Sequence, residues 1–198
     1  MTRLIGTPRA AGAWGIAFSV LLLASAAMVS LPTSAQTGEQ IVAFYSAHAQ
    51  VIVIQQVVGL VALGAFIAFA LSLPPNRWVR PALGLFVIAE LATNIVPLLI
   101  VATYPSGDTA HALTFVEDIA DSALFLSIAA FVAVATLKEP TWLRIAAYLV
   151  AAASVLRGIG GPFGFTSLDV AAPLAFLALI LVLSVRSFVG PRPATPKP

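Results

Sequence analysis

From Ile41 to Leu73 the chain runs for 33 residues without a charged side chain. As a helix that stretch would be about 50 Å long, against a bilayer hydrocarbon core of about 30 Å. No soluble domain can hide such a segment. Five further stretches approach or exceed the roughly 20 apolar residues that a crossing helix needs. Charge is correspondingly scarce: 198 residues carry ten Lys and Arg and eight Asp and Glu, or 9%, where a soluble domain carries about a quarter. A water-soluble globular fold is excluded, and the sequence implies an all-α, polytopic membrane bundle in a lipid bilayer.

The spans fall at about residues 10–31, 41–73, 81–102, 109–137, 142–158 and 170–189, so residues 1–189 read as one bundle domain. The second is too long for a simple crossing, and its start around Phe44, Tyr45 and His48 is expected to project above the bilayer or lie in its interface. Pro81 suits the first turn of the third helix. Gly158, Gly160, Gly161 and Pro162 are expected to stop the fifth, and Asp169 is placed to cap the sixth. Gly64 and Ala68, one turn apart, offer a close helix contact. Residues 190–198 contain four prolines and are expected to be extended or disordered.

The cations set an orientation. Arg3 and Arg9 precede the first span, Arg77 and Arg80 lie between the second and third, Lys138 and Arg144 flank the fourth-to-fifth turn, and Arg186, Arg192 and Lys197 sit at or after the end of the sixth. With six spans all of these fall on one side, which the positive-inside rule makes cytoplasmic, together with both termini. The opposite loops hold Glu39, Asp108 and Asp169. The first span also resembles a secretory signal, with Thr33, Ser34 and Ala35 as a cleavage site. Its 22 apolar residues exceed the usual 7–15 residue signal core, so retention is expected. Cleavage would leave five spans in the same orientation.

Ionisable groups inside membrane helices mark candidate sites. Glu90 and Asn94 share a face of the third span, with Pro97 following as a helix-disrupting residue. The fourth carries Glu117, Asp118 and Asp121 within five residues, a concentration of like charge that cannot face lipid and that calls for a cation or proton to join it. The alternative is that the membrane segment begins only near Ala120, leaving Glu117 and Asp118 in water. Arg157, the one cation off the cytoplasmic pattern, sits about 22 Å along the fifth span, at a depth suited to pairing with those acids, to snorkelling, or to an anionic ligand. His48, Gln55 and His111 are expected to line the outer side of the same region. Glu90, Asn94, Glu117, Asp118, Asp121 and Arg157 thus form the candidate polar site, provided their faces converge.

Several chemistries drop out. Cysteine is absent, removing thiolate metal sites and nucleophiles. Lysine occurs only at Lys138 and Lys197, outside the spans, which argues against a retinal Schiff base. No basic run dense enough for nucleic acid occurs, nor does a phosphate loop. The histidines His48 and His111 raise a haem or metal alternative, without the spacing of a known ligand motif.

Glu39 followed by the Phe44-Tyr45 pair at the opening of the second span is similar to a pattern in small uncharacterised bacterial multi-pass membrane proteins. The step from Lys138 through Pro140 to Trp142 and Leu143 resembles the same family. The resemblance implies a fold class, and no activity or site residue; the expected location is the plasma membrane of a bacterium. Taken together, the sequence predicts a non-enzymatic binding, sensing or accessory component, working with another membrane protein or as a homo-oligomer. A proton- or cation-coupled transporter using Glu90 and Asp121 is the alternative.

Overall fold

In a computed structural model the protein is all-helical, described over residues 7–165 and 167–189. The expectations for Arg3, Arg192, Lys197 and the proline-rich tail lie outside the described residues. Six helices run Pro8–Ala26 (α1), Gly38–Ser72 (α2), Val79–Thr103 (α3), Gly107–Ala135 (α4), Thr141–Gly160 (α5) and Ala171–Val189 (α6), with a single 3-10 turn at Gly161–Phe163. All six are long and apolar enough to cross a membrane. Their outward faces are apolar too, as in Leu85, Ile88 and Ile95 of α3 and Ile145, Leu149 and Leu156 of α5. Helices that are hydrophobic all round belong in lipid, so the chain is a multi-pass membrane protein.

Local signals fix most boundaries. Thr37 opens α2 with a capping box in which its hydroxyl accepts from Gln40 N and the Gln40 side chain accepts from Thr37 N. Ser106 caps α4, and Pro8 starts α1 behind Thr7. α3 passes through Pro97 and ends at Tyr104, which adopts a left-handed conformation (φ 45°) ahead of Pro105. α1 is shorter than the apolar run suggests. It ends at Ala26, and Gln55 of α2 holds the chain there: Gln55 Nε2 donates to Val29 O at 2.9 Å while Ser25 Oγ donates to Gln55 O at 3.1 Å. α5 conversely continues past Gly158 to Gly160.

Each helix packs on its neighbours in chain order, α6 returns to α1, and α2 also reaches α4. The ring is filled. Phe66 of α2 is fully buried and lies 4.8 Å from Phe18 of α1, 4.2 Å from Phe86 of α3, 4.8 Å from Phe131 of α4 and 6.0 Å from Phe176 of α6, centroid to centroid. Five helices thus contribute one phenylalanine each to a single plug, and α5 adds Leu143, Ala147 and Val150 beside it. Gly64, by contrast, has no neighbouring atom within 4 Å of where a Cβ would stand, so it is not the close packing point its spacing suggested.

A second, smaller core sits at the opposite end from Arg77 and Lys138. Ile41, Tyr45 and Ile52 of α2, Val96 and Ile100 of α3 and Ala110 of α4 pack together, with Val29 and Leu31 of the α1–α2 connection against them. Its origin is helix length. α1, α5 and α6 are 19, 20 and 19 residues long, whereas α2, α3 and α4 have 35, 25 and 29. At 1.5 Å per residue, α2 exceeds a 30 Å crossing by about 22 Å and α4 by about 13 Å. The surplus of the three long helices forms a head on the bundle.

Candidate functional site

The polar side chains of the spans gather at the junction between bundle and head. Measured from the ends of their helices nearest Lys138, Arg157 on α5 stands about 24 Å up and Asp121 on α4 about 21 Å up. The two meet: Arg157 Nη2 is 3.1 Å from Asp121 Oδ2, and Arg157 Nε is 2.5 Å from Asp169 Oδ1 in the α5–α6 connection. The guanidinium also lies 5.0 Å from the ring of Phe125, one turn beyond Asp121. Asp169 therefore serves as an ion-pair partner of Arg157, in addition to standing just before α6. One arginine ties α4, α5 and the α5–α6 connection together.

Two glycines make room for it. A Cβ on Gly158 would stand 2.8 Å from Ser122 O and 3.3 Å from Phe125 Cβ, so α5 approaches the α4 backbone where only glycine fits. A Cβ on Gly161 would occupy the space of Arg157 Nη1. Of the glycines that end α5, Gly161 thus seats the arginine, while Gly158 admits the α4 backbone.

One turn towards the head, Asp118 faces the α1–α2 connection. Its Oδ2 accepts from Ser34 N at 2.9 Å and from Ser34 Oγ at 2.5 Å. His111, seven residues earlier on the same face of α4, places Nε2 3.0 Å from Ser34 O. Two side chains of α4 therefore hold one residue of the connection from both sides. Glu117 turns towards α2, where it neighbours the Tyr45 hydroxyl. Glu117 Oε2 and Tyr45 Oη are both buried and, among the described residues, without a hydrogen-bond partner.

Glu90 and Asn94 form a separate pair within α3. Asn94 Nδ2 donates to Glu90 O at 2.7 Å and to Glu90 Oε1 at 3.2 Å, and the residues are only 9% and 4% exposed. Asn94 Oδ1 fits against α2 where a Cβ on Gly59 would stand 2.6 Å away. Phe86, part of the aromatic plug, is one turn below Glu90 on the same face.

Of the residues singled out in sequence, Asp121 and Arg157 are in direct contact, Asp118 and His111 converge on Ser34, and Glu117 adjoins Tyr45. Gln55 faces the end of α1. His48 is exposed, stacks on Phe44 at 4.4 Å and places Nδ1 2.9 Å from Phe44 O. The two histidines thus have separate neighbours, and among the described residues no group of three or more His, Asp or Glu is arranged to hold a metal ion. Sequence reading missed Ser34, Tyr45 and Asp169 as members of the cluster. Ser34 and Asp169 sit in connections, where no periodicity signals a partner. Tyr45 was visible only as an aromatic at a helix start. No family model, curated protein or solved structure matches the chain.

Proposed function

We propose that the protein is a non-enzymatic accessory or binding component of a bacterial plasma membrane, with both termini cytoplasmic and the three-helix head presented on the outer side. The observation that carries this reading is how the junction acids are used. Asp118 holds the α1–α2 connection through Ser34, and Asp121 and Asp169 hold α5 and its following connection through Arg157. These are clasps that fix a head on a bundle. They leave the head portion of α2 to project polar, exposed side chains, Glu39, Gln40, Ser46, His48 and Gln50, a surface suited to docking in water.

The clustering of cations at the end bearing Arg9, Arg77, Lys138 and Arg186 supports the cytoplasmic assignment of that end. Phe18 in the aromatic plug and Ser34 in the clasp support retention of the first span. The plug also weighs against coupled transport through Glu90. Every phenylalanine in it is at most 2% exposed, and it fills the space between Glu90 and the basic end. The family resemblance of the Phe44-Tyr45 and Pro140-to-Leu143 steps supports the bacterial setting.

The test is site-specific photo-crosslinking from the head in intact cells. A crosslinker at Gln50 should yield a discrete adduct with a second membrane or periplasmic protein, or with a second copy of the chain, and one at Ile88 on the lipid face should not. A protein that runs only as an unmodified monomer from every exposed head position would overturn the reading.

A further inference from the structure

A large open cavity lies at the other end, away from the polar junction. It has a volume of about 1640 Å³ and lies between the first turn of α1, the α2–α3 connection and the last turns of α6. Its rim carries Arg9, Arg77, Arg80 and Arg186 against a single carboxylate, Glu139. Its walls are apolar, including Leu71, Leu73, Val79, Leu183 and Phe188.

Among the described residues Arg186 alone of the four arginines has an acidic partner, Glu139 at 3.2 Å, and it lies 6.0 Å from the Trp142 ring. Arg77 stacks on Trp78 at 5.0 Å. Among the described residues Arg9, Arg77 and Arg80 have no carboxylate partner. The loop that displays them is held in shape. Asn76 Nδ2 donates to Val134 O at 2.8 Å, Asn76 Oδ1 accepts from Trp78 N at 3.1 Å, and Lys138 Nζ donates to Pro75 O at 2.9 Å.

We propose that this groove is a binding site for an anionic phospholipid, with the phosphate on Arg9, Arg77 and Arg80 and an acyl chain along the Leu71–Leu183 wall. Two features select this class over a diffuse basic surface. The cations flank an open concave space whose walls are mostly apolar, a pairing that matches the two-part chemistry of a lipid. Trp78 and Trp142, both exposed beside the rim, belong to the interfacial level at which headgroups lie. Basic pockets between membrane helices on the cytoplasmic side take such headgroups, and guanidinium forks suit phosphate oxygens. A soluble phosphate compound shares the headgroup chemistry and lacks the acyl chain.

The full-length protein, purified in a neutral detergent, is titrated with phosphatidylglycerol, with phosphatidylcholine and with inorganic phosphate. Bound lipid is counted by native mass spectrometry and unfolding temperature is followed in parallel. Retention of one phosphatidylglycerol, with a rise in unfolding temperature of about 5 °C at saturation that fades as salt is raised, supports the site. Phosphatidylcholine should give less than a third of that shift. Arg80→Gln should weaken phosphatidylglycerol binding about tenfold, whereas Arg144→Gln, an equal loss of charge at the same end and off the groove, should change it less than twofold. Equal response to the two lipids, equal effects of the two substitutions, or full replacement by millimolar inorganic phosphate would each overturn the proposal. The lipid comparison on the unmodified protein decides the matter even if a variant fails to fold.

Discussion

Replacing Arg157 with Met keeps an unbranched apolar stem and removes the charged guanidinium. Arg157 meets Asp121 at 3.1 Å and Asp169 at 2.5 Å and lies over Phe125. Breaking a fully buried ion pair costs about 3–5 kcal/mol, while an exposed pair contributes about 0–1 kcal/mol. This pair falls between: the arginine side chain is 16% exposed, and the two carboxylates are 37% and 40% exposed, so they can rehydrate when abandoned. Adding about 0.5–1 kcal/mol for the ring contact, the expected loss is about 2–3 kcal/mol. For a chain of this size that corresponds to a fall of about 5–10 °C in unfolding temperature, measured on detergent-solubilised protein.

Arg157→Lys provides the internal control. A single ammonium retains the charge and can satisfy one carboxylate well but lacks the planar fork that serves two, so it should recover about half the loss. In a double-mutant cycle, Asp121→Asn should cost markedly less in the Arg157→Met background than in the wild type. If Arg157→Met melts within 1 °C of the wild type, or the two substitutions are strictly additive, the clasp is an incidental contact and the reasoning fails.

Other expectations follow from the same geometry. Phe66→Ala opens a void of roughly 100 Å³ among the surrounding rings. Because lipid offers no aqueous reference, the cost is chiefly the cavity term, about 2.4 kcal/mol, and a variant as stable as the wild type would show that the plug is not packed as described. Gly158→Ala puts a Cβ 2.8 Å from Ser122 O and should cost about 1–3 kcal/mol by forcing α5 from α4; unchanged stability would contradict that approach. Asp118→Asn should raise amide hydrogen exchange in the 27–37 connection and leave the α5–α6 connection unaffected. Uniform change across both would show that the two clasps are not separate.

Much of the fold was legible in the sequence. Six apolar runs, scarce charge and the distribution of cations are large signals, because a bilayer tolerates few alternatives. The surplus length of α2 was equally visible, and the head is its structural consequence. What could not be read were partners across loops. Asp169 looks like a helix cap from local spacing, and its additional role follows from where α5 places Arg157. Ser34 resembles part of a cleavage site, and its contact with Asp118 spans 84 residues of chain. The glycines after Arg157 carry a local signal for termination, which α5 obeys at Gly160, while the neighbours that Gly158 and Gly161 admit lie beyond any local signal. Gln55 and His48 lie at suitable depth, but depth does not set azimuth on a helix of 35 residues, and they turn to α1 and to the surface.

The account rests on a bundle closed by aromatic packing beneath a clasped head. The most direct test is ion flux through purified protein reconstituted in liposomes under a membrane potential, read with an internal pH dye and with potassium- and sodium-sensitive dyes. The account predicts flux indistinguishable from protein-free vesicles for the wild type and for Glu90→Gln alike. Flux well above that background, abolished by Glu90→Gln in a correctly folded protein, would contradict it and make the polar residues of α3 and α4 a transport path.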